Sequence, residues 1–201
     1  MNILKTSMRL STWILILLLQ ACMPIINQEY YVPYGEGASV TKGATNYLTS
    51  TIGGKVILET HLIADYGSGA LSDIYLSVIF RVPDGVHIKL ASSQFILESK
   101  SLDAPETLKA QGYESDSYGP NKSRKYEITD ELHGYTVIIG GFKPLQQTLH
   151  AWYRVILPIE QHDLSIVTVK FPDIEINSQI YHIPPVRFER NVGTFWYQMN
   201  R

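Results

Sequence analysis

The chain predicts an all-β protein built as an antiparallel β-sandwich. Three observations carry this expectation. From Lys55 onward, apolar residues recur at every second position in one short segment after another. Clusters of Gly, Pro, Asn and Asp separate those segments. No stretch keeps an apolar stripe at the 3.6-residue helical period, and residues 107–111 accommodate one helical turn at most.

The elements follow in order. Val56, Leu58 and Leu62 mark a first strand. In 73–82, Ile74, Leu76, Val78, Phe80 and Val82 alternate with Tyr75, Ser77, Ile79 and Arg81, so one set faces a core and the other faces away. Pro83-Asp84-Gly85 supplies turn chemistry: Pro presets φ, Asp bonds the backbone and Gly takes a positive φ. Val86, Ile88 and Leu90 resume the alternation, which predicts a hairpin joining 73–82 to 86–91. Phe95 and Leu97 mark a short strand. Residues 99–123 are polar and punctuated by Gly and Pro, the pattern of a long functional or disordered loop. Strands then follow at 135–139, 149–157 and 167–171. Ile174–Ile176 and Ile180–His182 flank Asn177-Ser178, a pair suited to a tight turn because Asn tolerates a left-handed backbone. Val186–Glu189 and Phe195-Trp196-Tyr197 close the series. Eight or nine short strands fit a sandwich of immunoglobulin-like or jelly-roll-like type. Pro158, Pro172, Pro184 and Pro185 argue against a closed barrel, which offers few edges where proline is tolerated.

The first residues are of another kind. Lys5 and Arg9 precede an apolar run from Trp13 to Leu19, and small Ala21 follows. These are the parts of a secretory signal, and the run is far shorter than the about 20 residues of a spanning helix. Leu19, Ala21 and Cys22 resemble the lipobox of bacterial lipoprotein signal peptides, a resemblance covering residues 5–22. It implies cleavage before Cys22, diacylglycerol on the Cys22 thiol and a further acyl chain on its amine. Each buried CH₂ then adds about 0.8 kcal/mol of membrane affinity. Met23 stands where Asp holds Gram-negative lipoproteins at the inner membrane, so the resemblance implies the outer membrane, facing the periplasm. The expected organisation is a signal peptide over 1–21, a lipidated N-terminus and tether over 22–52, and a sandwich domain over 53–201. The tether reading rests on its Gly, Pro, Ser and Thr content, which makes about 30 Å of flexible chain. The run from Tyr30 to Tyr34 is too aromatic to stay wet and is expected to lie partly against the domain.

Removing residues 1–21 leaves 15 Lys and Arg against 19 Asp and Glu, a shift in net charge from −2 to −4. That balance lacks the basic footprint of a nucleic-acid partner. Cys22 is the only cysteine, so its acylation leaves no disulfide, thiolate ligand or catalytic thiol. No cofactor is expected beyond the covalent lipid.

The polar motifs have plain readings. His61, His87, His133, His150, His162 and His182 show neither i, i+4 nor His-x-His spacing, so a metal site would need ligands converging from separate strands, and none is assigned. Asp130-Glu131-Leu132-His133 offers two carboxylates and an imidazole, but reads as a polar turn before the strand that begins at Tyr135. The loop from Asp65 to Asp73 lacks the calcium-loop pattern, and Gly67-Ser68-Gly69 is not a nucleophile elbow. No catalytic set is assigned. In the strand 149–157, His150, Trp152 and Arg154 share one face opposite Ala151, Tyr153 and Val155. The commoner arrangement puts such a tryptophan in the core between sheets. Facing outward, the three would form a candidate binding face for an envelope glycan or protein. Residues 171–188, a proline-bracketed hairpin, resemble segments of uncharacterised bacterial envelope proteins. The expected function is a membrane-anchored envelope lipoprotein acting as a non-enzymatic binding or assembly module. The alternatives are an envelope glycan hydrolase, or an inhibitor of an envelope-attacking enzyme that works through a loop at 105–121.

Overall fold

The computed structural model describes residues 25–36, 39–41, 46–67, 70–115, 125–139, 147–160 and 164–196. The described residues form strands and turns without a helix, and so none long and apolar enough to cross a membrane. The strands are β1 (Ile25–Tyr34), β2 (Ser39–Thr41), β3 (Tyr47–Ile52), β4 (Val56–Gly67), β5 (Ala70–Val82), β6 (His87–Leu90), β7 (Gln94–Ser99), β8 (Glu106–Lys109), β9 (Tyr113–Ser115), β10 (Lys125–Tyr126), β11 (Leu132–His133), β12 (Thr136–Ile139), β13 (Gln147–Ile159), β14 (Ile166–Lys170), β15 (Ile174–Ile176), β16 (Gln179–Tyr181) and β17 (Val186–Trp196).

Residues 30–191 form one compact unit that contains every core residue found among the described residues. The described parts of the second unit are residues 25–29 and 192–196. Three antiparallel sheets make the sandwich: an eight-stranded one along β10-β9-β13-β5-β4-β3-β2, with β12 also on β13; a five-stranded one, β1-β17-β14-β7-β8; and a four-stranded one, β11-β6-β15-β16. Their inward residues meet in one apolar cluster. Leu58, Leu76, Val78, Phe80 and Val155 come from the large sheet, Phe95, Leu97, Val167 and Phe188 from the second, and Ile88, Leu90 and Ile174 from the third.

Period two governs the long strands as expected. In β5, Ile74, Leu76, Val78, Phe80 and Val82 are buried, and in β13 so are Ala151, Tyr153, Val155, Leu157 and Ile159. The two strands pair from Ile74↔Ile159 to Val82↔Ala151, which aligns the buried sets on one face. Asn177 and Ser178 both take positive φ, 49° and 65°, and join β15 to β16 in the expected tight hairpin.

Four expectations are corrected. The turn at Pro83-Asp84-Gly85 forms, with Gly85 at φ 73° and the Val86 N–H donating to the Pro83 carbonyl, but no hairpin results. β5 already has β4 on one edge and β13 on the other, so β6 crosses to the four-stranded sheet and pairs with β11 and β15. Residues 107–111 form no helical turn: 107–109 belong to β8, where Leu108 is buried between exposed neighbours. The segment 99–123 is not one long loop, because β8 and β9 lie inside it; residues 116–124 fall outside the described residues. The stretch 22–52 read as a tether also contributes β1, β2 and β3, while its aromatic run over 30–34 lies partly against the domain as expected. From Tyr30 on, Tyr31 is buried, as are Leu48 and Ile52 of β3, and Tyr31 donates its hydroxyl to the Leu164 carbonyl at 3.0 Å. The aromatic and aliphatic residues of that stretch outweigh its glycines once a sheet edge is present to receive them.

Candidate functional site

Two places gather chemistry. The first is the outer face of the large sheet. Because Tyr153 and Val155 point into the core, Trp152 and Arg154 point out. The core placement expected for Trp152 is therefore not the one found. The indole is half-buried, its backbone paired with Arg81 of β5. Arg154 lies with its guanidinium carbon 5.8 Å from the Trp152 ring centroid and donates through Nη2 to Glu114 at 2.7 Å. Next along the sheet, Arg81 forks onto Glu59 with Nε and Nη2 at 2.7 and 3.1 Å. The fork holds the guanidinium firmly protonated, since its hydrogen bond to Glu59 outweighs the effect of burial. His150, the third member of the expected face, is half-buried and meets the Thr136 hydroxyl at 3.2 Å.

This face carries apolar area as well. Ile156 is exposed beside Arg154, and Ile57, Ile63, Tyr75 and Ile79 are half-buried on the same face of the sheet. A cavity of about 690 Å³ opens along Tyr75, Arg154, Ile156, Pro158 and Glu160. Another of about 420 Å³ lies on the other side of Ile156, against Glu114 and Tyr126. Charged groups that neutralise one another, set among aliphatic and aromatic side chains, suit a surface that binds by stacking and shape.

His61 stands on the same face, stacked on Tyr47 with centroids 5.0 Å apart. Burial pushes its pKa below the usual histidine value; Glu59 opposes that shift and Arg81 adds to it. The unfolded chain therefore takes up a proton on His61 before the folded one does. The stability associated with neutral His61 is complete above about pH 6.5 and declines as pH falls from there toward the lowered folded value. In His61→Phe, which keeps the stack on Tyr47, the drop in melting temperature between pH 7.5 and pH 5 should be smaller than in the parent. An equal drop in both would count against burial of the neutral ring.

The second place was not legible as a site. His87 of β6 lies opposite His133 of β11, and their rings meet edge to face at 4.3 Å. Glu131 approaches His87 Nδ1 at 3.1 Å. The ligand atoms of all three lie within 4.8 Å of one another; Glu131 and His133 are exposed and His87 is half-buried. The polar turn expected over 130–133 lies earlier, over 127–130, where the Asp130 carboxylate accepts from the Glu127 N–H at 2.9 Å and the Asp130 N–H donates to the Glu127 carbonyl; Leu132 and His133 belong to β11, because Leu132 is buried and needs a strand partner. What the sequence reading missed is its partner, His87. A second imidazole–carboxylate pair, His182 with Asp173 at 3.0 Å, gathers no third ligand among the described residues.

The remaining expected sites fall differently. Cys22 and His162 lie outside the described residues. The 65–73 loop is largely strand, β4 and β5 pairing through Gly67↔Ala70 with a bulge at Asp65/Tyr66. Comparison of this chain with models of known families, with curated proteins and with solved structures finds no match.

Proposed function

We propose that this chain is a lipid-anchored protein of the bacterial envelope that works by binding. Cys22 is the acylated residue, and the outer face around Trp152 is the contact surface. The partner class is an envelope protein or glycan, and the location is the outer membrane facing the periplasm. The observation that carries the binding half is the outward placement of Trp152 and Arg154, opposite a core the strand has already filled with Ala151, Tyr153 and Val155. The anchor rests on Leu19, Ala21 and Cys22 and the basic, apolar run before them. Hydrolysis of glycan is the weaker reading. Of the two carboxylates beside the smaller cavity, Glu114 is already engaged by Arg154.

The test has two parts. Cells expressing the chain are labelled with a palmitate analogue. Label should enter the parent protein and not Cys22→Ala, which should leave the membrane fraction. Capture from envelope extract should then recover a partner with the parent, at about 30-fold or greater advantage over Trp152→Ala, the scale of an interface hot spot. Unlabelled parent protein removes the anchor. Equal capture by the variant, or glycan turnover without a partner, removes the binding face.

A further inference from the structure

We infer that His87, Glu131 and His133 form a surface site for a divalent transition-metal ion of the zinc class. Two imidazoles and one carboxylate are a ligand set of borderline softness, suited to zinc or copper and not to calcium or magnesium, which prefer oxygen throughout. Three protein ligands leave the remaining coordination positions to water or to an incoming group.

The geometry is built and does not arise from chance proximity on a loop. Leu132 and Ile88, paired one step along the ladder, are both buried, so His133 and His87 must both point outward on the same side. The Gly134 N–H donates to the Val86 carbonyl at 2.7 Å, which makes 134 and 86 the hydrogen-bonded pair. His133 and His87 are then the neighbouring non-hydrogen-bonded pair, the position at which facing side chains stand closest. Each backbone is also held from its other side. The His87 N–H donates to Asn177 Oδ1 at 2.8 Å and the Asn177 N–H donates to the His87 carbonyl at 3.0 Å. The His133 carbonyl accepts from the buried Tyr153 hydroxyl at 2.5 Å. Asp130 closes the turn that delivers Glu131.

An ion about 2.0–2.2 Å from each ligand atom shortens the wider of the present separations, His87 and Glu131 already standing at 3.1 Å, and side chains on pinned strands make that movement by rotating. The pinned backbones mean that little order has to be created on binding, which favours affinity.

The experiment is calorimetric titration of zinc chloride into the folded, untagged full chain at pH 7.5. The expected result is one zinc per chain. His133→Ala should weaken binding by about 100-fold or more, beyond the about 10–100-fold typical of outer-shell partners. Glu131→Gln should weaken it clearly, and His182→Ala should leave it unchanged. Circular dichroism checks that each variant folds. Should His133→Ala fail to fold, Glu131→Gln, altered at an exposed position between turn and strand, decides the matter: undiminished affinity there overturns the site. No saturable binding by the parent overturns it too, as does an equal loss in His133→Ala and His182→Ala, which would mean scattered binding to surface histidines.

Discussion

Gly134→Ala should destabilise the folded protein by several kcal/mol, a large effect for one methyl group. A Cβ at position 134 would lie 1.8 Å from the Pro83 carbonyl oxygen and 2.7 Å from its carbon, with Val82 Cγ1 at 2.9 Å. The first two are backbone atoms in the turn that carries the chain from β5 to β6, so no side-chain rotation relieves the clash. Overpacking of this kind typically costs about 1–3 kcal/mol. The separation that relieves it also stretches the Gly134 N–H bond to the Val86 carbonyl, and a buried backbone group left unpaired costs about 1–3 kcal/mol more. Set against a total stability of about 5–15 kcal/mol for a typical domain, the change should move a urea midpoint well outside error. A shift under about 0.5 kcal/mol would mean that β11 does not sit as close to the turn at Pro83 as the structure has it. The same variant should uncouple His133 from His87, since the close approach at Gly134 sets their register.

That contact shows where sequence reasoning ends in this chain. The strands themselves were readable, because a half-buried strand writes its burial into every second residue: Ile74 to Val82, apart from buried Ser77 on the outer face, and Ala151 to Leu157 alternate as the structure buries them. The tight turn at Asn177-Ser178 was readable for the same reason, its chemistry being local. Sheet membership was not. Pro83-Asp84-Gly85 specifies a reversal, but whether β6 pairs with β5 depends on whether β5 has a free edge, and that depends on β4 and β13, distant in sequence. That the tyrosines at 30–34 lie partly against the domain was readable from their aromatic character, while the apolar pair Leu48 and Ile52 carried a strand signal that their Gly-, Pro- and Ser-rich surroundings diluted. The face at Trp152 was half legible: the alternation separated Trp152 from Tyr153, while the choice of which set meets the core needed the alignment of β13 with β5. The imidazole pair had no spacing signature, because antiparallel pairing joined His87 to His133. The available hint was that each histidine adjoins a buried aliphatic residue, Ile88 or Leu132, in a short alternating stretch.

Phe80 and Arg81, adjacent in β5, provide the sharpest test of the two-faced sheet. Phe80 is 0 % exposed, lies between Leu58 and Tyr153 in the ladder, and meets Tyr113 edge to face with centroids 6.3 Å apart. Phe80→Ala removes that ring from a core whose neighbours are held by strands on both sides and cannot collapse into the gap, so about 3–5 kcal/mol should be lost. Arg81 points the opposite way. Its replacement by Ala empties no core volume, but it strands the Glu59 carboxylate, whose side chain is only 13 % exposed and which has spent its acceptors on the Arg81 fork. The expected loss is about 1–3 kcal/mol, the desolvation cost of a half-buried acceptor left without its donor. The double variant Glu59→Gln/Arg81→Ala should recover part of it, because the uncompensated charge is gone, whereas no polar substitution on the outer face should rescue Phe80→Ala. Chemical denaturation of the four proteins decides between the two origins. Equal losses for Phe80→Ala and Arg81→Ala, or no recovery in the double variant, would contradict a sheet with one apolar face and one face held by ion pairs.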